Sequence, residues 1–185
     1  MVVLLTQIME KQEFKKSKIV YETEICNLHK FGNSEAESKE PVFIVPPHAG
    51  RHPCIAQRMA DVCASANDNT FAFELLPANN NTKDTSINDL VLALDECVNS
   101  ISYLKHYDKV SIVGLCQGAW LSSVYTSLFP DKITKYANFA GPINTKTGEE
   151  NSIEKYCENA SIDYHKQIVN IHNGVQPGYM QWLSF

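Results

Sequence analysis

The sequence predicts an α/β fold: a doubly wound, mostly parallel sheet. Three observations carry this. Strand-like runs alternate along the chain with segments whose apolar residues recur at helical spacing, the order that βα units require. Pro41–Val45 is a short, wholly apolar run of the kind a parallel sheet buries on both faces. Val110–Val113 then leads into Gly114-Leu115-Cys116-Gln117-Gly118, a Gly-x-Cys-x-Gly turn that opens directly onto a helix-like run.

Each element follows from local pattern. Ile19–Ile25 and the stretch to Phe31 read as strands around a turn, and Gly32–Glu40 is a polar loop. The Pro41–Val45 strand stops at Pro46-Pro47. Pro53 suits the first turn of a helix that carries Ile55, Met59, Val62 and Cys63 at helical spacing. Phe71–Leu76 is the next strand, and an Asn-rich loop follows over Asn79–Thr85. Ser86-Ile87-Asn88-Asp89 resembles a capping box. The helix behind it sets Ile87, Leu90, Val91, Leu94, Cys97, Val98, Ile101 and Leu104 on one face, the strongest periodicity in the sequence. After the Gly-x-Cys-x-Gly turn a helix ends before Pro130, and Ile133–Phe139 gives one more strand, closed by Ala140-Gly141-Pro142. Phe71, Phe73 and Phe139 read as core, and Trp120 and Tyr125 as packing residues of the helix behind the turn. Residues 1–18 form an N-terminal extension, and residues 19–185 one partial domain.

Composition narrows the function classes. The 185 residues suffice for one domain with a sizeable core, and a 44% hydrophobic content with net charge −5 is ordinary for a soluble globule. With 21 acidic against 16 basic residues and no long basic cluster, nucleic acid is excluded as the expected partner. No apolar run has the length of a membrane span, and Val2-Val3-Leu4-Leu5 is too short for a signal-peptide core. The six cysteines (26, 54, 63, 97, 116 and 157) therefore read as reduced thiols of a cytoplasmic protein. His48, His52, Cys54 and Cys63 match no zinc spacing, and no metal or organic cofactor is called for.

The chemistry concentrates at Cys116. In a nucleophile elbow the two glycines let strand and helix pass where a Cβ would clash, and the tight turn lifts the nucleophile above the sheet. A thiol at a helix N-terminus is favoured as the nucleophilic thiolate. Parallel sheets place their sites at strand carboxyl ends, so three loops converge: Pro46–His52, the elbow and Gly141–Thr145. An acyl-transfer site also needs oxyanion donors. The backbone N–H of Gln117 is one candidate, and the backbone around His48 and Ala49 is the other.

The elbow, the Pro46-Pro47-His48-Ala49-Gly50 loop and Phe139-Ala140-Gly141-Pro142-Ile143-Asn144-Thr145 together resemble the superfamily of polyhydroxyalkanoate synthases and intracellular polyhydroxyalkanoate depolymerases. Val20–Glu24 through Leu28–Phe31, Ile44–Pro47 and Pro177–Gln181 are similar to further segments of those families. The resemblance implies an α/β-hydrolase-like fold with cysteine as nucleophile. It also implies substrates that are hydroxyalkanoate polymers, oligomers or hydroxyacyl thioesters, with the acyl group carried on sulfur. Ala119 stands where the synthase pattern has a further glycine, and the His48-Ala49-Gly50 loop is closer to depolymerase-like members, so hydrolysis of 3-hydroxyalkanoate esters is the first expectation. A synthase-like acyltransferase is the second. A non-catalytic remnant that binds a partner through the edge of an incomplete sheet is the third.

In this fold the acid and the histidine follow the nucleophile on late strands. The chain reaches only Phe185, so the expectation is an incomplete domain: a truncated product, an expressed fragment, or one half of a split enzyme, completed by a missing C-terminal half or by homo-oligomerisation. Asp163 and His172 do follow Cys116 in the right order, but only nine positions separate them, which leaves little room for a strand and turn between acid and base.

Overall fold

The parallel part of the sheet starts at the most apolar strand of the chain. A computed structural model describes residues 14–32, 39–47, 54–144, 155 and 161–176. In chain order they form β1 (Ser17–Glu22), β2 (Cys26–Phe31), β3 (Val42–Val45), α1 (Cys54–Ala66), β4 (Thr70–Leu75), α2 (Ile87–Lys105), β5 (Val110–Leu115), α3 (Gln117–Leu128), one 3-10 turn (Pro130–Lys132), β6 (Ile133–Phe139) and α4 (Ile162–Ile171). The six strands make one sheet in the order β1-β2-β4-β3-β5-β6. β3 lies at its centre, parallel to β4 on one side and β5 on the other, and β5 pairs parallel with β6. β2 runs antiparallel to β4 and β1 antiparallel to β2. The sheet is thus mostly parallel, as the sequence predicts, with an antiparallel hairpin at one edge.

The two-residue side-chain period of the strands sorts two cores. On one face Phe43, Val45, Phe71, Phe73, Val110 and Ile112 pack against Leu94, Val98 and Ile101 of α2 and Leu121 and Tyr125 of α3. On the other, Ile44, Ala72 and Leu115 pack against Ala56 and Ala60 of α1, with Phe14 and Phe31 beside them. Helices on both faces make the sheet doubly wound. Ser86 caps α2 through the capping box read in the sequence: the Asp89 N–H donates to Ser86 Oγ at 3.3 Å, and the Ser86 N–H donates to Asp89 Oδ2 at 2.7 Å.

Three sequence expectations need correction. α1 buries Ala56 and Ala60, with Met59 and Cys63 partly covered, while Ile55 is 69% and Val62 67% exposed. Alanine lets the helix approach the sheet closely, and the larger residues turn outward. Ile87 and Leu104, the ends of the α2 stripe, are also exposed, because that helix outreaches the sheet it covers. Phe139 is not core: at the end of the last strand it is half exposed. Residues 33–38 of the polar loop, residues 1–13 of the N-terminal extension and the Pro177–Gln181 segment lie outside the described residues.

Candidate active site

The step from β5 to α3 is made by one strained residue. Cys116, the N-cap of α3, has φ 52° and ψ −118°, a conformation that a non-glycine residue holds only when its surroundings enforce it. They do so through the main chain. The Cys116 N–H donates to the Phe139 carbonyl at 2.8 Å, and the Cys116 carbonyl accepts the N–H groups of Ala119 at 3.0 Å and Trp120 at 3.2 Å. The glycines have the role the sequence assigned them. A Cβ on Gly114 would lie 2.4 Å from Cα of Ala119, and one on Gly118 would lie 2.2 Å from the Val45 carbonyl oxygen and 2.4 Å from that of Pro46. The elbow therefore exists because strand, helix and the end of β3 touch with no side chain between them.

The turn leaves the Cys116 side chain exposed beyond the carboxyl end of β5. Gln117 is the first residue of α3, so its N–H has no acceptor one turn back, and among the described residues it has no other partner. It is free to serve as the oxyanion donor expected of it. His48 and Ala49, the expected second donor loop, lie outside the described residues. The strand that leads to them ends against the elbow, since Gly118 meets the Val45 and Pro46 carbonyls.

The third loop, after β6, is also drawn to this point. Ala140 takes φ 54°, the Gly141 N–H donates to Asn138 Oδ1 at 2.8 Å, and a Cβ on Gly141 would lie 2.7 Å from Cβ of Ala119. Sequence reasoning named this stretch but missed its mechanical part, namely that the Phe139 carbonyl holds the N–H of Cys116. A backbone acceptor leaves no signature in residue type. Behind the elbow, the Tyr136 hydroxyl donates to the Ala119 carbonyl and pairs with Ser123 Oγ at 2.8 Å, which ties β6 to α3.

Asp163 and His172 do not form an acid–base pair. Asp163 is in the first turn of α4 and His172 is its C-cap, which separates them by about 13 Å along the helix axis. His172 Nδ1 sits 2.8 Å from the Ile168 carbonyl. Among the described residues no histidine or carboxylate is hydrogen-bonded to Cys116. Under α3, Tyr125 donates to Asp95 Oδ1 at 2.9 Å and Lys132 Nζ reaches the same oxygen at 2.6 Å. Burial pushes the Asp95 carboxyl up, but Lys132, Tyr125 and Asn99 outweigh it and hold the group below its ordinary value. Burial, then the Asp95 carboxylate, raises the Tyr125 hydroxyl, so it stays a donor.

No family model matches the chain. Among curated proteins it is 33% identical over 82 residues to a poly(3-hydroxyalkanoate) polymerase subunit of Allochromatium vinosum, a match covering 44% of this chain and 22% of that protein. The corresponding subunit of Thiocystis violacea is 34% identical over the same length with the same coverage, and that of a Synechocystis strain 35% identical over 51 residues, 28% of this chain and 14% of that one. The matches thus span less than a quarter of the polymerase subunits. Among solved structures, a carboxylesterase of Nitrososphaera gargenis superposes with TM-score 0.57 at 18% identity, covering 85% of this chain and 54% of that one. A thioesterase domain from the curacin biosynthetic pathway gives 0.55 at 16%, covering 77% and 49%. Naproxen esterase from Bacillus subtilis gives 0.55 at 14%, covering 89% and 57%. These likenesses show an α/β-hydrolase-like fold, and over at most 82 residues the sequence is similar to polyhydroxyalkanoate polymerase subunits.

Proposed function

We propose that this chain, an α/β-hydrolase-fold relative of the polyhydroxyalkanoate synthases, takes a 3-hydroxyalkanoyl group onto Cys116 as a thioester. The conformation of Cys116 is the observation that carries the reading: a strained, exposed cysteine at the head of a helix, held by backbone contacts from two neighbouring strands. In the first half-reaction the Cys116 sulfur attacks the carbonyl carbon of a hydroxyacyl thioester. The Gln117 N–H donates to the oxygen as it gains charge, and the C–S bond to the leaving thiol breaks as that thiol takes up the proton Cys116 gives up. A second donor from the loop around His48 and Ala49 fits this scheme.

The second half-reaction decides the class. Attack by water on the acyl-cysteine makes a depolymerase-like hydrolase, the reading favoured by Ala119 and by the His48-Ala49-Gly50 loop. Attack by the hydroxyl of another hydroxyacid makes a synthase-like transferase, and the polymerase subunits among the relatives support this outcome more strongly. Incubation of the purified chain with 3-hydroxybutyryl thioester tests both. Intact-mass spectrometry is expected to show one added hydroxyacyl group, absent from Cys116→Ala. Free hydroxyacid then marks the hydrolase and oligomeric ester the transferase. A chain that acquires no mass, or acquires it equally in Cys116→Ala, overturns the proposal.

A further inference from the structure

Two buried thiols lie apart from the elbow and have no part in its chemistry. Cys26 opens β2 and Cys97 sits midway along α2, with roughly 70 residues of chain between them. The fold brings both into one core, fully buried, on the sheet face that α2 covers. Three contacts set them there. The Tyr21 hydroxyl donates to Glu96 Oε2 at 3.0 Å, which pins the β1–β2 hairpin to the residue before Cys97. Thr23 shapes the turn into β2: its Oγ1 accepts the N–H groups of Ile25 at 3.3 Å and Cys26 at 3.0 Å, and lies 3.3 Å from Cys26 Sγ. The thiols of Cys26 and Cys97 are each other's hydrogen-bond partner, and both are free. The pair is chemically unequal. Hydrogen bonding with Cys97, opposed by burial and helped by Thr23, holds the Cys26 thiol below its ordinary value, whereas the contact with Cys26 and then burial raise Cys97. Cys26 thus ionises first, with Cys97 beside it to resolve whatever forms on its sulfur.

We propose that Cys26 and Cys97 are a redox-modification site, joined by hydrogen peroxide into a disulfide that clamps β2 to α2. The Cys26 sulfur attacks one peroxide oxygen, the O–O bond breaks, and the departing oxygen leaves as water. The Cys97 sulfur then displaces the hydroxyl of the Cys26 sulfenic acid as a second water, the two thiols having supplied the protons. One peroxide is reduced and two thiols are oxidised to one S–S bond. Hydrogen peroxide is little larger than water, so local opening of the structure admits it. The sulfurs close from hydrogen-bonding contact to about 2.05 Å. The bond restricts the unfolded chain by a loop of about 70 residues, so oxidation stabilises the fold, and exchange with a small thiol reverses it. The site is independent of the reading of Cys116.

The purified full chain, treated with hydrogen peroxide, alkylated in denaturant and digested without reduction, tests this by mass spectrometry. The Cys26 peptide is expected joined to the Cys97 peptide with loss of two hydrogens, and the urea midpoint of the treated chain is expected above that of the reduced one. Treatment in urea should lower the yield of this link by at least roughly tenfold, because only the fold holds the sulfurs together. Cys97→Ala is expected to remove the link and the midpoint shift together. Cys26→Ala is expected to do the same and serves should Cys97→Ala misfold. Five results overturn the proposal: both thiols still alkylated after treatment, either one joined to a different cysteine, Cys26 carried to the sulfinic acid unlinked, equal linkage in urea, or a link without a midpoint shift.

Discussion

At φ 52° the Cys116 backbone stores roughly 1–3 kcal/mol that the surrounding contacts must offset. Cys116→Gly is therefore expected to remove acylation while raising stability by roughly 1 kcal/mol, strain relief exceeding the entropic penalty of glycine. Urea denaturation beside the mass assay reads both effects, and a drop in stability would show that the turn is not strained. Gly118→Ala has the opposite sign. Its Cβ meets backbone oxygens that cannot swing aside, so a loss of roughly 3 kcal/mol or outright misfolding is expected. Ser122 is fully buried and its Oγ has no hydrogen-bond partner among the described residues, so Ser122→Ala is expected to stabilise by about 1 kcal/mol in the same assay. Of these residues, the sequence disclosed the glycines and the cysteine, because their spacing is unusual. It could not disclose the unpartnered Ser122 hydroxyl, since a serine on a helix looks alike whether it faces water or the core.

Elements were legible where length and composition agreed. β5 and β6 lie over Val110–Leu115 and Ile133–Phe139, where the sequence reads as strand, and the cap of α2 follows from Ser86 and Asp89. α1 was misread because its large residues and its alanines form two adjacent stripes, and size pointed to the wrong one. The strand order was not readable at all, since it depends on which faces the helices cover. The junction of α2 and α3 carries a pH-dependent contribution. Asp95 is held below its ordinary value by Lys132, Tyr125 and Asn99 against the opposing effect of burial. A depressed carboxyl stabilises the fold above the unfolded value of about 4, and that contribution fades as pH falls through the lower folded value. Wild type is thus expected to lose on the order of 1 kcal/mol more than Asp95→Asn on acidification from pH 6 to about 3, by urea midpoints at each pH.

Across the whole molecule, the two cores share only the sheet, so the central strands should be its most durable part. Amide exchange is expected to be slowest in β3, β4 and β5, which have strands on both sides, and fastest in β1. Comparable protection in β1 and β3 would mean that the hairpin is covered in solution. The described residues include no helix long and apolar enough to cross a membrane. The fold class could be read from the sequence because alternation of strand and helix is a property of the entire chain. The expected second oxyanion donor, by contrast, falls on His48 and Ala49, which lie outside the described residues. The bend at Cys116 is made from main-chain contacts: a carbonyl on β6, the carbonyls of Val45 and Pro46 at the end of β3, and the start of a helix. Among the described residues no hydrogen bond is made to the sulfur. The described scaffold is therefore indifferent to the atom it displays, and oxygen could replace sulfur through one codon without rebuilding those contacts.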